Sequence, residues 1–185
     1  MGEQLSRNDL TGVGILLAAG QSARMGQDKR WLDVKGVPMA LRVAQAMKGA
    51  PLARHLAVIR ADDETLAIRL AMLGFETLIN PHPERGRASS VACALAALAE
   101  ARPVMIALAD LPELTAGRIG SLWQRFCDDG AQDILIPRHQ GQAGHPRCLG
   151  QRHIAALIAQ GEQVDVPAYL ACHAQAVHFW DVDDP

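Results

Sequence analysis

The chain has 185 residues, 49% of them hydrophobic and 21% charged, and carries a formal net charge of −2. This composition suits one folded domain with a sizeable core and excludes a disordered or fibrous chain. The near-zero charge gives no basic field for nucleic acid, and no apolar run approaches the ~20 residues that span a bilayer, so neither nucleic acid nor membrane is an expected partner.

The first ten residues, MGEQLSRNDL, are polar and read as a disordered tail ahead of one domain over residues 11–185. Val13 to Ala18 is an apolar run that ends at glycine and reads as a buried strand. Pro38 predicts a helix start, with the helix over 39–48. A second strand is expected over 55–60, and a helix over 62–73 that opens on acidic residues and stops at Gly74. A third strand over 75–79 leads into a loop over 80–87, rich in Pro and Gly.

Ser89 to Ala101 is Ala-rich and predicts a helix capped by a serine. A fourth strand, 104–109, is wholly apolar up to Asp110, and Thr115 caps a helix reaching 128. A fifth strand over 134–137, a polar loop over 138–144, a helix over 151–160 and a last strand over 177–180 complete the pattern. Strands alternating with helices predict an α/β fold: a three-layer, Rossmann-like sandwich around a mainly parallel sheet. Continuous apolar strands fit a sheet covered on both faces, and ligands then bind where the strand C-termini gather.

Chemistry concentrates after the first strand, in Leu17 to Lys29, LAAGQSARMGQDK. Gly20 and Gly26 permit a tight loop whose N–H groups can face phosphate oxygens, and Arg24 and Lys29 add two cations beside Asp28. Neither GxxxxGK[ST] nor GxGxxG is present. A tight turn carrying two surface cations is the plainer alternative.

The run L-A-A-G-x-S-x-R-M-G-x-D-K resembles the signature of nucleotidyltransferases that activate sugars, isoprenoid precursors and molybdopterin. With Ala18 and Ala19 before Gly20 it looks most like the molybdenum cofactor cytidylyltransferases; the guanylyltransferase branch typically has glycine in place of Ala19. Asn80 to Val91 (NPHPERGRASSV), Ala109 to Pro112, Gly141 to Pro146 (GQAGHP) and Asp181 to Pro185 resemble that group's later motifs in the same order. The resemblance runs from about Val13 to Pro185 and makes 11–185 a nucleotidyltransferase domain.

The resemblance implies a Mg²⁺-dependent cytoplasmic enzyme that moves CMP from CTP to molybdopterin and releases pyrophosphate. Leu17, Ala18, Ala19, Gly20, Ser22, Arg24 and Lys29 would hold the triphosphate, with Lys29 on the α-phosphate and Arg24 on the β/γ end. Asn80, Gly86, Ser89 and Ser90 would take base and ribose, Asp110 and Asp183 the metal, and His145 and Arg147 the second substrate. Lys29, Arg24 and Asp110 are the expected catalytic residues. The residues alone leave plainer roles open: Ser89 or Ser90 as a helix cap, Asp183 as part of an acidic tail.

Three departures bear on the acceptor. Arg87 stands where the group commonly has methionine, Arg147 where a small apolar residue follows His-Pro, and Trp31 and Asp33 lie in a normally aliphatic stretch. Either arginine could face an anionic substrate. The nearest rivals are guanylyl transfer to molybdopterin and transfer to a sugar or alditol phosphate. A non-catalytic nucleotide-binding accessory protein for a molybdoenzyme, and a Rossmann-type oxidoreductase, are alternatives of another class. For the oxidoreductase, Arg60 stands where an acidic residue should end the second strand. The four cysteines (Cys93, Cys127, Cys148 and Cys172) show no metal or redox spacing and read as reduced thiols.

Overall fold

The computed structural model describes residues 12–20 and 28–183, so the predicted tail falls outside the described residues. At the centre lies β1 (Val13–Leu17), buried at every position. It pairs in parallel with β4 (Arg54–Ile59) on one side and β6 (Val104–Leu108) on the other, and β4 pairs in parallel with β5 (Glu76–Ile79). Beyond β6 the sheet continues through β9 (Arg147–Leu149), β7 (Ile134–His139) and β10 (Val177–Asp181), giving the order β10-β7-β9-β6-β1-β4-β5.

Side chains alternate across the sheet. Leu16, Ala57, Met105 and Ala107 face one layer of helices: α1 (Met39–Met47), α2 (Glu64–Met72) and α4 (Ala116–Asp128). Ile15, Leu17, Val58 and Ile106 face the other: α3 (Arg87–Ala96), α5 (Gln151–Ile158) and α6 (Val166–Cys172). The expected three-layer α/β sandwich is the fold observed. Close approach of α1 and α4 depends on glycine: a Cβ on Gly49 would lie 2.2 Å from the Ala116 carbonyl oxygen. Among the described residues no helix is long and apolar enough to cross a membrane.

The structure departs from the sequence reading in several places. The strand β9 was not foreseen; it runs antiparallel to both β6 and β7, and three residues that begin with arginine carry no periodicity to read. A small hairpin, β2 (Asp33–Val34) and β3 (Val37–Pro38), turns through Lys35 and Gly36 at φ 57 and 83, and a two-residue strand, β8 (Gln142–Ala143), pairs with β7. The short α6 was also missed, although Asp165 caps it by accepting from the Ala168 N–H at 3.0 Å. Thr115 caps α4 as expected.

Helix α3 starts at Arg87, two residues before the predicted start, straight after Gly86 at φ 78. Ser89 is therefore inside the first turn and is not the cap. Its hydroxyl, with one proton to donate, lies 2.9 and 2.7 Å from the Gly86 and His82 carbonyl oxygens.

Candidate active site

Parallel pairing brings several strand ends to one edge. The Ala18 N–H donates to Val58 O at 2.8 Å, Ala109 N–H to Leu17 O at 3.1 Å, and Asn80 N–H to Ile59 O at 2.9 Å. The run Leu17–Gly20, the 80–87 loop and Asp110 therefore leave the sheet side by side. Leu17, Ala18 and Ala19 are buried and Gly20 is exposed with open space around its Cα. Ser22 and Arg24 lie outside the described residues.

The chain re-enters at Asp28, which caps a single 3₁₀ turn, Lys29–Trp31. Arg30 in that turn is only 3% exposed. Its guanidinium donates to the Ala18 carbonyl at 2.5 Å, to both carboxylate oxygens of Asp28 and to both of Asp63. Arg60 reaches the same two carboxylates at 3.2 Å each. The Arg30 hydrogen bonds hold the Asp28 carboxyl down at about 2. Sequence reasoning places Asp28 beside the two loop cations but gives Arg30 no role and Asp63 only that of a helix start. Asp63, read as a favourable charge at a helix start, makes no cap hydrogen bond; its side chain serves the arginines.

Asn80 needs correction as a nucleotide contact. It is 2% exposed, its amide donates to the Ser89 and Ser90 hydroxyls at 2.9 and 3.0 Å, and its oxygen accepts from the His82 N–H at 2.8 Å. Every polar group of that side chain is engaged by the loop and the first turn of α3, and Ser90 is buried with it. Asn80 therefore shapes the loop. Gly86 is exposed and Ser89 half-buried, so these two remain within a ligand's reach.

Asp110 is exposed, and no hydrogen bond or ion pair joins it to another described residue; the same holds for Asp183. Both are hard oxygen donors of the type Mg²⁺ prefers. They sit at the same sheet edge but on strands separated by β9 and β7. Among the described residues no three His, Cys, Asp or Glu side chains gather closely enough to hold a metal. The donor type fits; the number requires waters or phosphate oxygens to complete an octahedral shell.

Asp183 lines a cavity of about 870 Å³ together with Leu111, Leu114, His139 and His145. Two bonds from Arg138 to Asp181, 2.7 and 2.8 Å, and Val182 N–H to Arg138 O at 2.9 Å fix the end of β10 there. His145 precedes a cis peptide to Pro146. Burial, then the charges of Arg147 and Arg87, push its pKa down to about 3, so the imidazole is neutral. Arg147 pairs with Ile106 in register and so points to the α3 side, where α3 begins with Arg87. Burial and the Arg87 charge make Arg147 less basic than usual. Among the described residues no carboxylate pairs with either arginine.

The chain matches the MobA-like NTP transferase domain over residues 14–176. It is 29% identical over 131 residues to a "Probable molybdenum cofactor guanylyltransferase" of Opitutus terrae, an alignment covering 71% of this chain and 63% of that one. It is 31% identical over 110 residues to the molybdenum cofactor guanylyltransferase of Xanthomonas euvesicatoria pv. vesicatoria, covering 60% and 52%. The chain thus spans between about half and two thirds of the length of these curated relatives. In fold it is similar to Rv0371c of Mycobacterium tuberculosis, with a TM-score of 0.75, 21% identity and coverage of 95% and 89%; a second structure of that protein is a complex with manganese.

Proposed function

The chain belongs to the MobA-like NTP transferase family, and from that premise we propose that it transfers a nucleotidyl group from a nucleoside triphosphate to the phosphate of a molybdopterin-type acceptor. What supports the reading is the shared edge at which the Ala18–Gly20 run and Asp110 leave the paired strands β1 and β6, with Arg30, the neighbour of Lys29, bonded to the Ala18 carbonyl. An acceptor phosphate oxygen attacks the α-phosphorus, the bond from that phosphorus to the bridging oxygen breaks, and pyrophosphate leaves. Such a transfer asks the protein for positioning and charge neutralisation.

Lys29 faces the α-phosphate and Arg24 the β/γ end in this reading. Asp110, with Asp183, would hold Mg²⁺, which when bound neutralises developing phosphate charge. The manganese complex of Rv0371c supports a divalent-metal site in this fold. The neutral His145 accepts or donates a hydrogen bond at the acceptor without adding charge, while Arg147 and Arg87 attract the anionic acceptor. The four cysteines are unpaired thiols, which suits a reducing cytoplasm.

Guanine is the favoured base, because both curated relatives are named guanylyltransferases. This reverses the order taken from Ala19, which favours cytidylyl transfer; CTP to molybdopterin is the second reading. Pyrophosphate release measured with GTP, CTP, ATP and UTP, each with Mg²⁺ and molybdopterin, tests both. Faster release with GTP supports the first reading and faster release with CTP the second. Release only with a sugar or alditol phosphate as acceptor moves the substrate class. No release with any triphosphate points to a binding protein that assists a molybdoenzyme or its chaperone.

A further inference from the structure

We propose that Arg30 is the positioning residue of the triphosphate site, tying Asp28 to the end of β1 and to Asp63 and thereby fixing where Lys29 stands. This rests on the proposed reading that Leu17–Gly20 and Lys29 contact the triphosphate. Nine residues, Ala19 to Gln27, separate Ala18 from Asp28. One side chain joins them. Arg30 Nη1 bonds the Ala18 carbonyl where the loop begins, and Nε and Nη2 bond Asp28 where it finishes. Nη1 and Nη2 also bond Asp63 at the start of α2, tying the loop base to the second strand–helix unit.

A guanidinium has five N–H donors, and these five contacts engage all of them. Arg30 has no donor left for a phosphate and is 3% exposed, so it acts through its neighbours and does not touch substrate. Its charge, with that of Arg60, is answered by Asp28, Asp62 and Asp63. The cluster, two cations against three carboxylates, therefore brings no net positive charge to the cradle, and what it adds is shape. The backbone of Lys29 is held between the two anchored residues: Trp31 N–H donates to Asp28 O at 3.0 Å and Leu32 N–H to Lys29 O at 3.1 Å. Lysine in place of Arg30 keeps the charge but has three donors and no planar fork, so it cannot reproduce the five contacts to Ala18, Asp28 and Asp63.

The test compares Arg30→Lys and Asp63→Asn with the wild type in steady-state pyrophosphate release. Asp63 lies outside the loop and touches no ligand in the proposed reaction, so its variant probes the tie alone. The expected result is a fall of at least about fivefold in kcat/KM for the triphosphate in both, as displacement of a reacting group predicts. The acceptor KM stays within twofold and the helical circular dichroism signal is retained. A smaller fall in either folded variant, or an equal rise in acceptor KM, overturns the proposal; Asp63→Asn decides if Arg30→Lys does not fold. A wild type that releases no pyrophosphate from any triphosphate strikes the proposed reaction, not this role. Binding of inorganic tripolyphosphate, by calorimetry, then decides: fivefold weaker binding in the variants supports the tie, and equal affinity or no wild-type binding overturns it.

Discussion

His145 gives the sharpest physical prediction. Burial foremost, and the charges of Arg147 and Arg87 after it, hold its folded pKa at about 3, against an ordinary value of 6.5. The folded protein therefore keeps a neutral imidazole, while the unfolded chain takes up a proton as pH falls below about 6.5. A depressed pKa means that stability is complete above the unfolded value and is lost progressively as pH drops toward 3. At pH 5 the unfolded imidazole is almost fully protonated and the folded one is not, which costs at most about 2 kcal/mol relative to pH 8. For a domain of this size that is about 4–8 °C in Tm. Thermal or urea unfolding at pH 8 and pH 5, for wild type and His145→Asn, isolates the effect. His55 and His153, also depressed by burial, remain in both proteins and cancel. The wild type should lose more stability than the variant by about 2 kcal/mol. Equal losses, or an NMR titration of the His145 ring with a midpoint near 6.5, would refute the argument.

Lys29→Ala and Asp110→Ala should each lower kcat by about 100-fold or more, because each removes a group proposed to meet transition-state charge. Asp110→Ala should leave unfolding within about 0.5 kcal/mol of wild type, since the exposed carboxylate has no partner among the described residues; calorimetry checks this. Gly49→Ala should destabilise by about 1–3 kcal/mol, read by urea unfolding, because its Cβ would meet the Ala116 carbonyl at 2.2 Å. Arg147→Met should raise the acceptor KM and weaken its salt dependence while leaving the triphosphate KM unchanged; steady-state kinetics at two ionic strengths read both. Asp183→Ala should lower activity less than Asp110→Ala does, and a larger loss would overturn the ranking of the two carboxylates.

The large features of the fold were legible because burial writes itself into composition. Strands β1 and β6 are unbroken apolar runs, and only a strand covered on both faces needs every residue apolar. Helix caps were legible where the side chain does the capping, as at Thr115, and illegible where Gly86 starts α3 through backbone angle alone. The site was legible as a set of residue types and poorly legible as a set of roles. Asn80 shows why: its identity suggests a ligand contact, but a carboxamide has few hydrogen bonds to make, and here His82 of the loop and Ser89 and Ser90 of α3 take them. Arg30 shows the converse. One residue after Lys29 it looks like a further surface cation, and only the fold reveals that Ala18, twelve positions back, and Asp63, thirty-three positions on, converge on it.

The strand that could not be read bears most on the metal. Without β9, β7 would lie next to β6, and the strand carrying Asp183 would end two steps from Asp110. The antiparallel β9 adds a third step. At the usual spacing of about 4.8 Å, three steps separate the strand ends by roughly 14 Å in a flat sheet. Mg²⁺ ligands lie about 2.1 Å from the ion, so the backbone beyond β10 must turn back across β7 and β9 for both carboxylates to share one ion. Asp110 needs no such turn, because it emerges beside the end of β1, where Arg30, next to Lys29, bonds the Ala18 carbonyl. In the proposed reaction a triphosphate on that edge would meet Asp110 before Asp183, which lies on the wall of the 870 Å³ cavity. The two carboxylates are therefore unequal by topology, and their variants should differ accordingly.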